Sequence, residues 1–375
     1  MKKIIFKKLF KDILIFFFFA CFAISLIVWV IQAVNFLDFV SEDGHSFKVY
    51  FLYTFLNFPK IISKILPFIF FITLFYILII YEEKNELLIF WTNGISKKEF
   101  LQNINKLSLL FVIFQLFLTT YIVPLTQDNA RSYIRNSNID FFPSLIKEQR
   151  FIDTVSDLTI YVGEKNEDGN FKNIFLKDKV DENKSQVIYA KEGKILNINN
   201  QNLLKLIDGK IINLINNETT IFDFSETNFN LSGYSTKTTT TPKVQELNTT
   251  SLLNCAFDFY GKNKIFKNDD YECFPDFYKH IQQELLKRIY LPIYLPIIAL
   301  IAASLIIHNK DYINYMSFRF KLFIVGVLTI VISEISIRYA ALNIKSTLAF
   351  LIIPVLIYLI GYIFFTNKLK YKTNS

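Results

Sequence analysis

Two groups of strongly apolar segments, separated by a water-soluble stretch of about 160 residues, dominate this chain of 375 residues. The soluble stretch runs from residue 126 to about residue 287. A helix needs about 20 mostly apolar residues to cross roughly 30 Å of hydrocarbon. Six segments meet that requirement: 13–34, 61–80, 107–123, 289–307, 322–339 and 348–365. The layout therefore predicts an α-helical membrane protein with six transmembrane helices, three on each side of an inserted soluble domain.

The composition agrees with a membrane location. Hydrophobic residues make up 52% of the chain, the mean hydropathy is +0.32 and phenylalanine occurs 41 times, which is too apolar for an ordinary soluble fold. A net charge of +8 would also suit a nucleic-acid-binding protein. The basic residues, however, flank the apolar segments instead of forming one basic stripe. We therefore expect a membrane and no nucleic acid as a partner.

The first apolar segment follows several lysines, as the core of a secretory signal peptide does. Its apolar part is longer than the roughly 7 to 15 residues of a cleaved signal, and no small-x-small cleavage site follows it. Cys21 lies in a poor match to a lipoprotein site. The segment therefore predicts a retained anchor.

Basic residues distinguish the two sides of the membrane, because cytoplasmic loops carry an excess of Lys and Arg. The termini and one set of loops hold most of them: Lys2, Lys3, Lys7, Lys8, Lys11, Lys84, Lys97, Lys98, Lys310, Arg319, Lys321, Lys368, Lys370 and Lys372. The alternate loops, 36–58 and 340–347, carry few. We expect a multi-pass protein of the bacterial inner membrane with cytoplasmic termini and a large periplasmic domain.

The inserted domain has the pattern of β structure. Short runs typical of strands occupy 158–162, 173–176, 186–191, 194–198, 203–207, 210–215, 219–224 and 228–231. Turn signals separate them at 167–169, 192–193, 199–200, 208–209 and 216–217. Many short strands favour an all-β sandwich or jelly-roll-like domain. The predicted domains are helices at 1–125, β domain at 126–250, periplasmic connector at 251–287, and helices with a cytoplasmic tail at 288–375.

Enzymatic motifs are absent from the sequence. His45, His280 and His308 lack metal-ligand spacing, and neither a phosphate-binding loop of the G-x-x-x-x-G-K-[ST] type nor a G-x-S-x-G motif occurs. We expect no catalytic activity, no cofactor and no metal site. Cys255 and Cys273 both lie in the outer domain, where the periplasm permits a disulfide, and unpaired cysteines are equally compatible with the sequence.

The cytoplasmic loop at 81–99 predicts two helix boundaries. Asn85 is a candidate N-cap, Glu86 lies in the favourable first turn, and Gly94 marks a C-terminal stop. A capping-box pattern from Ser96 to Glu99 then begins the next helix. One interpretation is a surface hairpin whose apolar face, with Leu87, Leu88, Phe90 and Trp91, rests on the membrane. The other is a coupling helix that presents an apolar and acidic surface to a cytoplasmic partner.

The order of three spans, a β domain and three spans resembles the lipopolysaccharide export permeases LptF and LptG, the YjgP/YjgQ family. Asn-Glu-Leu at 85–87 and Gly-Ile-Ser at 94–96 are similar to the family's S-E-L and G-[IL]-S. Leu66-Pro67 resembles its L-P-x-x-x-F-L motif, and 29–38 and 158–162 resemble the LptF branch, which we favour. Two departures are Asn85 in place of a serine and Gln32 in place of a lysine found in some members.

The resemblance implies one permease subunit of an ABC transporter that extracts lipopolysaccharide from the inner membrane and passes it to a periplasmic bridge. The implied partners are an LptB-like ATPase dimer, an LptG-like (or LptF-like) permease, and LptC-like and LptA-like periplasmic proteins. The residues implied to couple to the ATPase are Asn85, Glu86, Leu87, Leu88, Gly94 and Ser96. A membrane-anchored scaffold or assembly factor is the alternative. A secondary transporter is disfavoured because Glu334 is the main carboxylate within the spans.

Two sets of residues are candidates for contact with the glycolipid. Glu334 and Arg338 are spaced to pair on one helical face, either as a structural pair or as part of a basic rim for phosphates. The full substrate-binding set is Gln32, Lys60, Lys64, Glu334, Arg338 and Lys345. Strand residues that could form an acyl-chain path, or an ordinary core, are Ile160, Phe175, Ile188, Ile198, Leu206 and Phe222.

Overall fold

The computed structural model describes residues 2–37, 46–136, 148–155, 157–166, 170–181, 184–198, 201–215, 218–231, 243–260, 278–341 and 344–371. The chain forms two compact units. The helical unit comprises Met1–Val30, Asn57–Asp128 and Lys243–Ser375, and the β unit comprises Ile31–Leu56 and Asn129–Pro242. Cys255 is disulfide-bonded, while Cys273 lies outside the described residues.

Eleven α-helices occur in the described part of the chain. They are α1 (Lys2–Asn35), α2 (Phe47–Leu56), α3 (Phe58–Glu83), α4 (Glu86–Thr92), α5 (Lys97–Phe117), α6 (Val123–Asn136), α7 (Thr249–Tyr260), α8 (Tyr278–Ile289), α9 (Tyr294–Ala303), α10 (Tyr315–Ala340) and α11 (Ile344–Tyr371). Within the described residues, six helical stretches are long and apolar enough to cross a membrane: Lys2–Asn35, Phe47–Glu83, Lys97–Ile134, Tyr278–Ile307, Tyr315–Ala340 and Lys345–Asn367. Each contains one predicted span, so the six-helix prediction is confirmed.

Spans three and four depart from regular α-helix. In span three, a π-helical turn at Leu118–Ile122 joins α5 to α6. In span four, 3-10 turns at Leu291–Ile293 and Ser304–Ile307 flank α9. Pro292 lacks the N–H that a continuous α-helix would need there, which explains the first break. Such irregular backbone exposes carbonyl groups that side chains can then use.

The core of the helical unit forms around α9. Its buried residues include three fully covered alanines, Ala299, Ala302 and Ala303, whose small side chains let α3, α5 and α10 approach closely. Phe70 of α3 packs on Phe111 of α5 with 4.4 Å between ring centroids. The helices α1, α10 and α11 leave most of their apolar surface exposed. Those faces are suited to lipid or to other membrane helices.

Six antiparallel strands form the sheet of the β unit. They are β1 (Phe151–Val155), β2 (Leu158–Lys165), β3 (Asn170–Asp181), β4 (Lys184–Ile198), β5 (Gln201–Ile215) and β6 (Glu218–Asn230). Each described strand pairs with its neighbour in sequence, in the order β1-β2-β3-β4-β5-β6. The all-β prediction is confirmed, but these strands form a meander and not the Greek-key order of a jelly roll. The reason is that short connections pair consecutive strands as hairpins.

The strands are also fewer and longer than the sequence predicted. The eight predicted runs merge into β2 to β6, and β1 was not predicted. Two expected turns lie inside strands, at Gly193 in β4 and at Gly209 in β5. A side chain at Gly209 would collide with the Tyr189 carbonyl and the Phe224 ring. Glycine here permits close approach of neighbouring strands and does not mark a turn. The other three expected turns lie outside the described residues.

Candidate functional site

Gly94 terminates the helix α4 two residues beyond its last residue, Thr92, as the sequence predicted. Gly94 has a left-handed backbone with φ of 68°. Its N–H donates to the Trp91 carbonyl at 3.1 Å, and the N–H of Ile95 donates to the Phe90 carbonyl at 3.0 Å. This is the Schellman arrangement, in which a glycine just beyond a helix satisfies two terminal carbonyls. Ile95 is buried, so the same turn anchors the loop in the core.

The start of α4 differs from the prediction. Asn85 has a φ of 60° and makes no side-chain cap hydrogen bond, because its backbone is left-handed and not extended as capping requires. Asparagine tolerates that conformation better than most residues. Ser96 does cap α5, since its hydroxyl accepts from the Glu99 N–H at 3.1 Å. The Glu99 carboxylate accepts from Lys2 Nζ at 2.9 Å.

The apolar residues of α4 face two directions. Leu87 and Phe90 are buried, and the Phe90 ring lies 5.2 Å from that of Phe100. Leu88 and Ile89 are 58% and 48% exposed. The predicted single face with Leu87, Leu88, Phe90 and Trp91 is therefore wrong, because 3.6 residues per turn separate positions 87 and 88 by roughly 100°. Leu88 and Ile89 remain available to a partner.

Residues 81–99, which we term the hairpin, are tied to the beginning of α1. Lys8 Nζ contacts the Glu86 carboxylate at 2.9 Å. The Tyr81 hydroxyl donates to the Asp12 carboxylate at 2.5 Å. The Phe6 ring lies 5.4 Å from the Phe90 ring. Glu86 is thus in the first turn of α4, as predicted, but its charge is already paired within the chain.

The hairpin also contacts the second half of the helical unit. Lys97 Nζ donates to the Ile306 carbonyl at 2.7 Å, at the end of span four. Glu83 pairs with Arg319 of α10 at 2.9 Å. Through these contacts and those to α1, the hairpin touches the ends of several membrane-spanning helices. A force applied to α4 can therefore reach them.

A small polar cavity lies among α3, α5, α8 and α10, near the end of these helices where the chain passes to and from the β unit. Its volume is about 40 Å³. The lining residues are Lys60, Ser63, Lys64, Gln115, Thr119, Val123, Gln127, Gln245, Glu284, Lys287, Arg288, Leu291 and Glu334. Three lysines and two carboxylates share this cavity with an arginine. Such a concentration of ionisable groups is costly in a membrane-spanning segment unless they are paired or bind something.

Span three contributes a polar stripe to the cavity. Gln115, Thr119 and Gln127 follow one another at multiples of four residues, so they lie along one helical face. Gln115 Nε2 donates to the Ser63 carbonyl at 2.8 Å, while its Oε1 is buried without a hydrogen-bond partner. The Gln127 amide is oriented with its oxygen toward Lys60, and that oxygen accepts a hydrogen bond from Lys60 Nζ at 2.7 Å. This stripe was not predicted, although the spacing of its residues is visible in the sequence.

Arg288 fixes the segment that returns from the β unit. Only 2% of its surface is exposed. Its guanidinium pairs with Glu284 at 3.0 Å and donates to the Gln245 and Leu247 carbonyls at 2.8 Å each and to Thr249 Oγ1 at 3.0 Å. The Arg288 carbonyl accepts from Thr119 at 2.7 Å, beside the π-helical turn. The i, i+4 spacing of Glu284 and Arg288 was the only sequence signal for this cluster.

Comparison with known proteins identifies the family. The family model of the lipopolysaccharide export system permease LptF/LptG matches residues 7–368, nearly the whole chain. The chain belongs to the LptF/LptG family. An uncharacterized protein of Rickettsia prowazekii (strain Madrid E) is 22% identical over 199 residues, which are 53% of this chain and 55% of that protein. The chain thus spans about half the length of the curated relative it matches.

The structure brings together only some of the predicted substrate residues. Lys60, Lys64 and Glu334 line the cavity. Among the described residues, Glu334 forms no ion pair with Arg338, because it faces the cavity with Lys64 nearby. Arg338 and Lys345 are exposed outside the lining, and Gln32 belongs to the β unit. The predicted Glu334–Arg338 pair is therefore wrong.

The inner face of the LptF/LptG sheet carries most of the predicted acyl path. Strand register places Ile160, Leu176, Ile188, Ile211 and Phe222 opposite one another in a single row across β2 to β6. Leu206 is buried in the same core. Phe175 is adjacent to Leu176 and lies on the opposite face of the sheet, so it does not belong to this row. The side chain of Ile198 lies outside the described part.

Proposed function

We propose that this chain is a permease subunit, of the LptF type, in an ABC transporter that extracts lipopolysaccharide from the bacterial inner membrane. The observation that carries this proposal is the cationic cavity among the membrane-spanning helices, in a chain of the lipopolysaccharide export permease family. Both termini lie in the cytoplasm and the β unit lies in the periplasm. The cavity is then near the outer leaflet, where the glycolipid enters.

The charges of the cavity support binding of phosphate groups. Arg288 forms an ion pair with Glu284, so their charges offset each other. The other charged residues of the lining are Lys60, Lys64, Lys287 and Glu334. The net positive charge attracts an anion, and a lysine ammonium binds phosphate as a point charge. Because about 40 Å³ holds little more than a water molecule, phosphate binds at the exposed rim beside the Lys64 ammonium. Separation of α3 from α10 would admit it further.

The hairpin supports attachment to an ATPase. Its exposed Leu88 and Ile89 form a small apolar surface. This surface follows the last residue of α3, whereas the cavity is lined by the first turns of that helix. An LptB-like ATPase dimer would take one such surface from this chain and one from an LptG-like permease. The exposed apolar faces of α1 and α10 offer contact with that second permease. ATP hydrolysis belongs to the partner, consistent with a permease subunit.

The inner row of the sheet supports passage of acyl chains. Each CH₂ group exposed to water costs about 0.8 kcal/mol, so an acyl chain leaving the membrane needs an apolar surface. The row from Ile160 to Phe222 supplies one, and its Phe222 end is exposed at the edge strand β6. LptC-like and LptA-like proteins would continue that surface toward the outer membrane.

The proposal is tested by the glycolipid bound to the purified complex. We expect a Lys60→Ala/Lys64→Ala variant to retain at least about tenfold less lipopolysaccharide per complex than wild type, since even one charge-assisted contact of about 1.5 kcal/mol corresponds to roughly tenfold in affinity. Lys279→Ala, an exposed lysine of α8 outside the cavity lining, serves as the matched control. Equal lipid in both variants, or no lipopolysaccharide in the wild-type complex, would contradict the proposal.

A further inference from the structure

A second cavity lies between α3 and α10, toward the other ends of these two helices from the polar one. Its volume is about 360 Å³, within the roughly 300–1,000 Å³ of typical ligand pockets. The described residues line it with apolar and aromatic side chains and one charged group, the Arg319 guanidinium. The main apolar lining residues are Ile72, Phe75, Tyr76 and Ile79 of α3, and Phe320 and Phe323 of α10. We term this space the lateral pocket.

Two contacts between α3 and α10 close the lateral pocket along the helices. Toward the middle of the membrane, the Phe71 ring lies against Gly326, where any side chain would collide with it, and 5.9 Å from the Phe323 ring. At the other end, Arg319 Nη1 pairs with the Glu83 carboxylate at 2.9 Å. The helix rises roughly 10 Å between Arg319 and Gly326. A partner helix is itself about 10–12 Å wide, so a space closed within this length takes a thin, flexible chain instead.

The lateral pocket is open at its side, where the bilayer lies. Phe320 and Tyr76, which are 64% and 45% exposed, are at this rim. The Tyr76 ring stacks on Phe16 of α1 with 4.8 Å between centroids, so α1 supports the same rim. An unfilled space of this size forfeits the dispersion contacts of its walls. Since the surrounding solvent is hydrocarbon, an acyl chain is the group that restores those contacts.

Arg319 determines which headgroup suits the lateral pocket. Its side chain is 29% exposed, and a guanidinium has five N–H donors in a fork that matches phosphate. Basic pockets between membrane helices on the cytoplasmic side bind anionic headgroups. Lys64, beside which we place the lipopolysaccharide phosphate, is about 22 Å along α3 from Ile79. The two sites therefore suit lipids of opposite leaflets.

We propose that the lateral pocket binds an anionic phospholipid of the cytoplasmic leaflet, with one acyl chain among its aromatic residues and the phosphate at Arg319. The inference rests on the proposed function for the side of the membrane alone. The lipid fills the space that the side chains of spans two and five leave between them, and so stabilises the packing of these spans.

Competition between two phospholipids tests this inference. Phosphatidylglycerol and phosphatidylcholine with the same acyl chains are added in equal amounts to the purified complex, and native mass spectrometry counts the lipid that stays bound. Wild type should prefer phosphatidylglycerol by about tenfold, which is typical of one charge-assisted contact. Arg319→Gln should lose this preference. Ile72→Trp, which fills the lateral pocket, should bind less of both lipids.

Two control variants separate the lipid contact from other effects of charge. Glu83→Gln breaks the same ion pair but keeps the guanidinium, so it should bind phosphatidylglycerol at least as well as wild type. Lys321→Gln removes a positive charge from an exposed residue outside the lining and should behave as wild type.

Three results would overturn the inference. They are an unchanged preference in Arg319→Gln, an equal loss in Glu83→Gln and Arg319→Gln, and displacement of phosphatidylglycerol by added lipopolysaccharide, which would assign the lateral pocket to the exported glycolipid. A complex that binds no lipopolysaccharide but keeps its preference for phosphatidylglycerol would instead refute the proposed function and leave this site standing.

Discussion

Replacing Arg288 by methionine tests the structural account of the polar cluster beside the cavity. The change leaves the Glu284 carboxylate without its ion-pair partner and removes the donors to the Gln245 and Leu247 carbonyls. Breaking a buried ion pair from one side costs about 3–5 kcal/mol. Because the Glu284 side chain is 19% exposed and can regain some water, we expect a loss near the lower limit, about 3 kcal/mol.

Thermal unfolding of the purified protein in detergent measures this loss. We expect Arg288→Met to unfold several degrees below wild type, since about 1 kcal/mol shifts Tm by roughly 2–4 °C in proteins of 150–250 residues. Arg288→Lys should fall between them, because it keeps the charge but not the planar fork. Lys279→Met, on the exposed side of the same helix, should be nearly neutral. Equal Tm values for Arg288→Met and Lys279→Met would refute the proposed role of the cluster.

Three further predictions follow from the hairpin and the sheet. Gly94→Ala should destabilise the hairpin by about 1 kcal/mol, because its φ of 68° disfavours a side chain although open space surrounds it; protection of the hairpin from hydrogen exchange measures this. Gly209→Val should open the β unit to proteolysis, because the new side chain collides with the neighbouring strand. The exposed-site variant Thr219→Val should resist proteolysis as well as wild type does. Equal resistance of the two variants would contradict the close packing of the strands at Gly209. A photo-crosslinker at Ile188 should capture lipid during ATP hydrolysis, whereas one at the adjacent Tyr189, on the opposite face, should not; equal capture would contradict an inner-face path.

The spans were predictable because length and apolarity alone specify a transmembrane helix. The breaks were less visible, since the π-helical turn at Leu118–Ile122 is associated with tertiary contacts such as that between Thr119 and the Arg288 carbonyl. In the sheet, glycine was assigned to turns at Gly193 and Gly209. Only the neighbouring strands reveal that glycine is needed there for close packing.

The candidate site was predicted in part. Lys60, Lys64 and Glu334 were found because charges within apolar segments are conspicuous in a sequence. Arg288 was missed because its acceptors lie 39 to 43 residues earlier in the chain. Phe175 was grouped with residues of the other face because one residue decides the face of a strand, and a sequence run does not fix its own register. Local patterns thus specified the elements, while contacts distant in sequence specified the site.

The central claim is that this permease couples ATP hydrolysis to removal of lipopolysaccharide from a membrane. The most direct measurement is release of lipopolysaccharide from vesicles containing the complete complex to a soluble LptA-like acceptor, followed over time with and without ATP. The account predicts release that requires ATP and that falls in the Lys60→Ala/Lys64→Ala variant but not in Lys279→Ala. ATP hydrolysis without release, or release equal with and without ATP, would contradict it.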